Sequence, residues 1–151
     1  MTAHVYGDSG FFYIPELDFS IPLYESNKKI SGQAIVDREN SGVLSRHFGG
    51  GHCDYIADHA SQGFDIIKKC KIGTVAVFQT KNKTIQYSCV AIMPGTNIKK
   101  NLITCCGQKL TNVNWADLVC YCCNDSTGVS ITMVFFKKTV TCNYPLYEAQ
   151  V

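Results

Sequence analysis

Apolar and aromatic residues fall in short runs closed by proline, glycine or polar turn residues, a punctuation that predicts β-strands rather than long helices. The first two runs are Gly10-Phe11-Phe12-Tyr13-Ile14-Pro15 and Phe19-Ser20-Ile21-Pro22-Leu23-Tyr24. Further strand-like runs follow at Ala34-Ile35-Val36, Tyr55-Ile56-Ala57, Thr74-Val75-Ala76-Val77-Phe78 and Ile85-Gln86-Tyr87-Ser88-Cys89-Val90. Asn82-Lys83 lies between the last two as a hairpin turn would. Ala116 to Tyr121 and Ser130 to Phe136 form a final pair, separated by the turn-like Asn124-Asp125-Ser126-Thr127-Gly128. The one helical stretch is Ser61 to Lys71, where Phe64, Ile67 and Lys71 recur at helical spacing and Gly73 follows as a stop. Many closely spaced strands with one or two short helices predict a mainly β chain, closed or nearly closed into a barrel.

A length of 151 residues fits a single domain spanning residues 1–151, and 46% hydrophobic against 17% charged residues is the balance of a chain with a packed core. The net charge is only +2, and the lysines occur as scattered pairs (Lys28-Lys29, Lys68-Lys69, Lys99-Lys100, Lys137-Lys138). That pattern makes no phosphate-neutralising stripe, so nucleic acid is not an expected partner. No apolar run approaches the roughly 18 residues that cross a bilayer, and no basic-then-apolar leader opens the chain; the expectation is a soluble molecule. Nine cysteines cannot all pair within one chain, and adjacent pairs at Cys105-Cys106 and Cys122-Cys123 do not fit a disulfide-stapled scaffold. Most are expected to be small buried hydrophobes.

Two positions carry the chemistry. Ile56-Ala57-Asp58-His59 puts a histidine at the end of a predicted buried strand, and imidazole is the side chain suited to proton transfer near neutrality. Cys120-Tyr121-Cys122-Cys123-Asn124 ends another strand on a thiol, which an adjacent imidazole would activate as a nucleophile. Strand alternation places Cys123 and Tyr121 on the face of Val119, and Cys122 and Cys120 on the other. A metal site built from Cys120, Cys122, Cys123 and His59 is the competing reading, but neighbouring sulfurs on a strand point apart and the paired Cys-x-x-Cys knuckles of zinc sites are missing. No metal or other cofactor is therefore expected. Phe48-Gly49-Gly50-Gly51 opens no helix and lacks the Lys-Ser/Thr of a phosphate loop, so it reads as a turn. The segment Ile35 to Ser41, polar and between predicted strands, either lines or covers a substrate groove or makes local solvated turns. His52 and Cys53 have no partner legible in the sequence.

The succession Gly10-x-x-Tyr-Ile-Pro, Ile21-Pro22-Leu23-Tyr24, Ile56-Ala57-Asp58-His59, Phe64 with a short helix, then Lys71-Ile72-Gly73 and a strand, resembles the sortase family over about Gly10 to Lys138. The resemblance implies a sortase-like closed β-barrel and a cysteine transpeptidase or peptidase that cleaves a peptide sorting motif through a thioacyl-enzyme. The partners it implies are a peptide or protein substrate and an amine or water acceptor; the location it implies is the outer face of a bacterial cell envelope. His59 takes the place of the family's histidine, with Asp58 where the family has glycine. Two cysteines compete for the nucleophile. Leu102-Ile103-Thr104-Cys105 matches the family's Leu-x-Thr-Cys string, whereas Cys123 has the expected strand, loop and strand around it. The family's arginine on the strand after the nucleophile is absent: Arg38 and Arg46 are the only arginines, and both lie far upstream. Backbone N–H groups and the Thr132 hydroxyl are the candidate oxyanion or substrate-positioning groups in its place. The missing arginine also admits a catalytically impaired, sortase-like binding module.

Overall fold

The computed structural model describes residues 4–25, 31–38, 40–58, 63–99 and 101–149. The strands are β1 (Gly10–Ile14), β2 (Phe19–Glu25), β3 (Gly42–Ser45), β4 (Asp54–Ala57), β5 (Val75–Gln79), β6 (Thr84–Ile98), β7 (Asn101–Thr104), β8 (Leu118–Cys123) and β9 (Ser130–Cys142). They hydrogen-bond in the order β5-β1-β2-β3-β4-β8-β9-β6, and β6 pairs back onto β5, which closes a ring of eight; β7 adds to the outer length of β6. The β2–β3 and β4–β8 pairs are parallel. Neither pair can be a hairpin: the β2–β3 connection holds a one-turn helix on the outer surface, and the β4–β8 connection runs through β5, β6 and β7.

All eight ring strands send apolar side chains to one interior cluster, including Phe12, Leu23, Leu44, Ile56, Phe78, Tyr87, Cys120 and Phe136. Two smaller clusters lie on the outer surface. One packs Val119, Ile131, Met133 and Phe135 of β8 and β9 under Leu102, Leu110 and Val113. The other packs Ile35 and Val36 onto Val43 and Ala57 of β3 and β4. Strands covered on both faces read as continuous apolar runs, which is why Leu118 to Cys123 shows no polar alternation.

The strands expected at Gly10–Pro15, Phe19–Tyr24, Tyr55–Ala57, Thr74–Phe78, Ile85–Val90, Ala116–Tyr121 and Ser130–Phe136 are present within a few residues, with β6 and β9 running on well past them. Three expectations are corrected. Ala34-Ile35-Val36 is not a strand but part of a one-turn helix, α1 (Gly32–Val36), whose N-terminus Ser31 caps through its hydroxyl, 3.1 Å from the Ala34 N–H. The Ser61–Lys71 helix is a 3-10 segment limited to Phe64–Lys69, entered through Gly63 in the left-handed region; Ser61 and Gln62 lie outside the described residues. The four-residue strands β3 and β7 were not expected. Phe48–Gly50 forms a 3-10 turn, as a turn was read there.

The end of the barrel at the β5–β6 hairpin is held by Gln79, which is 0% exposed. Its amide nitrogen donates to the Tyr6 hydroxyl at 3.0 Å and the Tyr147 carbonyl at 2.7 Å, and its oxygen accepts from the Tyr147 N–H and the Thr84 hydroxyl, each at 3.0 Å. A buried amide with its donors and acceptors engaged fixes the segment after β9 across this end.

Candidate active site

Parallel β4 and β8 run side by side in the register Asp54↔Leu118, Tyr55↔Val119, Ile56↔Cys120 and Ala57↔Tyr121. In sequence, His59 follows Ala57 by two residues, as Cys123 follows Tyr121. His59 itself lies outside the described residues. Asp58 is within them and is buried, 6% exposed, so the carboxylate next to the histidine is not the solvated side chain that its type suggests.

The faces follow the expected alternation. Leu118, Cys120 and Cys122 belong to the barrel interior. Val119 belongs to an outer cluster, and Tyr121 packs against both outer clusters. Cys123, two residues beyond Tyr121, is on that outer face and half-buried. The strip between the two covers is paved by Tyr55 and Tyr121, whose rings lie 5.7 Å apart, with Phe48 edge-on to Tyr55 at 4.9 Å. Burial raises the pKa of both phenols; for Tyr121, nearby Tyr55 and Cys123 add to the effect. Both rings are therefore neutral hydrogen-bond donors near pH 7. Tyr24 packs on the same outer cluster, and the Arg38 guanidinium lies over its ring, 4.6 Å from the centroid. Sequence distance had put Arg38 far from the chemistry; the β2–β3 crossover brings it to this face.

The loop after β8 is tied down by its own side chains. The Asn124 N–H donates to the Ser130 carbonyl at 2.8 Å, and its side-chain amide donates to the Ser130 hydroxyl at 3.1 Å. Asp125 accepts from the Thr127 N–H at 3.0 Å. Gly128, at φ 72°, brings the loop back over the thiol: a Cβ there would be 3.8 Å from the Cys123 sulfur. Cys123 pairs with Ile131 across β8–β9, and Cys122 with Thr132. Thr132 thus shares the face of Cys122 rather than of Cys123, and its hydroxyl donates to Asn124 Oδ1 at 2.8 Å.

Cys122 differs in kind from its neighbour. It is 0% exposed, and its thiol is pushed up to about 11 by burial, with Lys68 pulling it down and Asp65 and Cys123 pushing it up. A thiol so raised is a poor nucleophile at neutral pH. Cys105 is exposed in the turn after β7. Its strand is reached from β8 only through β9 and β6. Three strand spacings put it roughly 14 Å from β8 along the sheet, and it is one strand further from β4. The group Cys120, Cys122, Cys123 is split between interior and outer face, and no cluster of three or more metal-ligating side chains occurs among the described residues.

His52 and Cys53 belong to the opposite end of β4. His52 Nε2 is 2.7 Å from Asp117 Oδ1, a partner 65 residues away that sequence alone did not reveal. Cys53 is buried and its thiol is pushed up to about 12 by burial, then by the charges of Asp54 and Asp117. The aromatic strip of Tyr55 and Tyr121 was also missed. Its signal was present as an aromatic two residues before Ala57 and another two before Cys123, but only the β4–β8 pairing shows that the two meet.

No protein-family model matches the chain, and no curated protein matches it in sequence. Solved structures do match. Sortase E1 from Streptomyces coelicolor, solved with a tripeptide in its active site, superposes with a TM-score of 0.65 at 18% identity, covering 87% of this chain and 88% of that one. Sortase A of Listeria monocytogenes gives 0.63 at 11% identity, covering 93% and 91%. Sortase C of Clostridium perfringens, solved with a C-terminal cell wall sorting motif, gives 0.60 at 14%, covering 87% and 70%. Coverage of nearly the whole chain, together with a closed eight-stranded ring, leads to one conclusion: this protein has a sortase-like fold, widely diverged in sequence from the sortases it resembles.

Proposed function

We propose that this chain is a sortase-type cysteine transpeptidase or peptidase acting on a peptide sorting motif, with Cys123 as nucleophile and His59 as its acid–base partner. The observation that carries the reading is the parallel β4–β8 ladder. Its last pair is Ala57↔Tyr121, and in sequence His59 and Cys123 each follow by two residues. In this mechanism the Cys123 thiolate attacks the scissile carbonyl, the C–N bond breaks, and His59 delivers the proton to the departing amine. An amine or water then attacks the thioacyl carbonyl and releases the thiol. The Tyr55–Tyr121 strip supplies an apolar floor beside the thiol, and Arg38 stands at its margin in place of an arginine on β9. Thr132 acts through Asn124, holding the loop after Cys123, rather than as an oxyanion donor. By analogy with the sortase structures, the setting is the outer face of a bacterial cell envelope.

The test is turnover of a sorting-motif peptide with a hydroxylamine acceptor, with the thioacyl adduct followed by intact mass. Cys123→Ala and His59→Ala should each lower turnover by at least about a thousandfold, and Cys105→Ala by less than about threefold. Loss of turnover in Cys105→Ala with Cys123→Ala active would move the nucleophile. A second reading, a catalytically impaired binding module, is favoured by the lack of any arginine on β9. It is separated by the same assay: peptide binding without cleavage or adduct in the unmodified protein selects it.

A further inference from the structure

The chain has two adjacent cysteine pairs, and they differ in one geometric respect. Cys122 and Cys123 are consecutive residues of a strand, so their sulfurs point to opposite faces of the sheet. Cys105 and Cys106 are consecutive residues of a turn, and both are exposed. The turn is fixed from several sides. The Gly107 N–H donates to the Thr104 carbonyl at 2.9 Å, the Thr104 N–H to the Gln108 carbonyl at 2.9 Å, and the Cys105 N–H to the Pro94 carbonyl at 3.0 Å. The Thr104 hydroxyl accepts from the Gln108 N–H at 3.2 Å, and the Gln108 side chain is anchored in turn by the Trp115 indole at 3.0 Å. Two thiols are thus presented to solvent by consecutive residues, on a backbone that is already ordered.

We propose that Cys105 and Cys106 form a chelating dithiol site for a soft, thiophilic centre of the trivalent arsenical class. The obvious alternative, a disulfide between them, is disfavoured by size. Neighbouring Cα atoms across a trans peptide are about 3.8 Å apart, below the roughly 4.4 Å minimum that unstrained disulfides span. A single metalloid atom inserted between the sulfurs relieves that constraint, because each sulfur then bonds to the bridging atom and not to the other. With an arsenoxide R–As=O, two S–H bonds and the arsenic–oxygen bond break, two As–S bonds form, and the oxygen leaves as water with both protons. No electrons are transferred, and no oxidant is needed. Two sulfurs without a third ligand also fit such a centre better than a tetrahedral zinc, which takes four ligands. Because β7 is separated from β8 by two strands, occupation of this site leaves Cys123 free.

The probe is phenylarsine oxide added to the folded protein and read by native mass. One adduct per chain is expected; it should survive excess monothiol and be stripped by a dithiol. Cys105→Ser and Cys106→Ser should each weaken apparent binding by about a hundredfold, the loss expected when a two-point attachment becomes one-point. Cys123→Ala should bind as the unmodified chain does. Reversal by monothiol in the unmodified chain, retention of the adduct in the Cys105→Ser/Cys106→Ser double variant, or its loss in Cys123→Ala would each overturn the proposal.

Discussion

At the scale of single residues, the sharpest contrast in the molecule lies across one peptide bond. Cys122 and Cys123 have the same chemistry and nearly the same position, yet strand parity sends one to the barrel core and the other to the outer surface. This parity was legible in the sequence, because alternation needs only the strand's existence. What it leaves open is which face is the working one, and that depends on what packs against each. The interior cluster surrounds Cys122, so its thiolate fraction at pH 7 is roughly one in ten thousand, from a pKa of about 11. The expected outcome of brief iodoacetamide labelling of the folded protein at pH 7.5, followed by peptide mapping, is modification at Cys123, Cys105 and Cys106 with Cys122 and Cys120 unmodified. Labelling of Cys122 ahead of Cys123 would show that the faces are exchanged. The role of Asp58 was less legible. Its residue type suggested a solvated side chain, and only the fold shows it buried.

At the scale of elements, strands with aromatic and β-branched runs declared themselves, four-residue β4 among them, whereas β3 and β7 did not. Gly42–Ser45 contributes only four residues and is stabilised by β2 and β4 on either side, so tertiary pairing rather than propensity makes it a strand. Ala34–Val36 carries a strand-like composition, but the Ser31 hydroxyl cap turns it into a helix whose Ile35 and Val36 cover β3. β7 is held against the outer length of β6 by the register Gly95↔Thr104 to Ile98↔Asn101. Gly95 is the tight point. A Cβ there would lie 2.5 Å from the Met133 sulfur and 2.7 Å from the Ile103 carbonyl oxygen. The methionine side chain can move, but the backbone oxygen belongs to the β6–β7 ladder itself. Gly95→Ala is therefore expected to destabilise the fold by about 1–3 kcal/mol, the usual range for overpacking. A fall in the urea midpoint with an unchanged slope checks it; an unchanged midpoint would mean that β7 shifts away without cost.

For the whole molecule, the closed ring was readable as a class from many short strands, whereas its wiring was not. The β4–β8 pair that builds the candidate site joins residues more than 60 positions apart, and no local pattern in either strand names its neighbour. Burial holds thiols back from ionising, Cys70 and Cys122 inside the ring and Cys53 in an outer cluster. Cys53 and Cys70 are pushed up to about 12 and Cys122 to about 11, in each case chiefly by burial. In the unfolded chain these groups return to their ordinary value of 9.0. Between 9.0 and the raised values, the unfolded chain has released protons that the folded chain still holds, so rising pH favours unfolding. The stabilisation is complete below the unfolded pKa and is lost as pH climbs toward each folded value. Each such thiol contributes about 1.4 kcal/mol per pH unit, and the three together up to about 4 kcal/mol per unit above pH 9. Summed to pH 12 this is roughly 11 kcal/mol, against the about 5–15 kcal/mol that a domain of ordinary stability holds in total, so most of the stability should be lost toward pH 12. Urea midpoints measured under reducing conditions should stay level from about pH 7 to 8.5 and fall steeply above 9. Cys70→Val, which keeps an apolar group in the interior but removes one titration, should make that fall shallower by about 1.4 kcal/mol per pH unit. A midpoint that does not move between pH 8 and 11 would mean that these sulfurs reach solvent in the folded protein, Cys70 and Cys122 through a barrel less completely closed than its strand pairing describes.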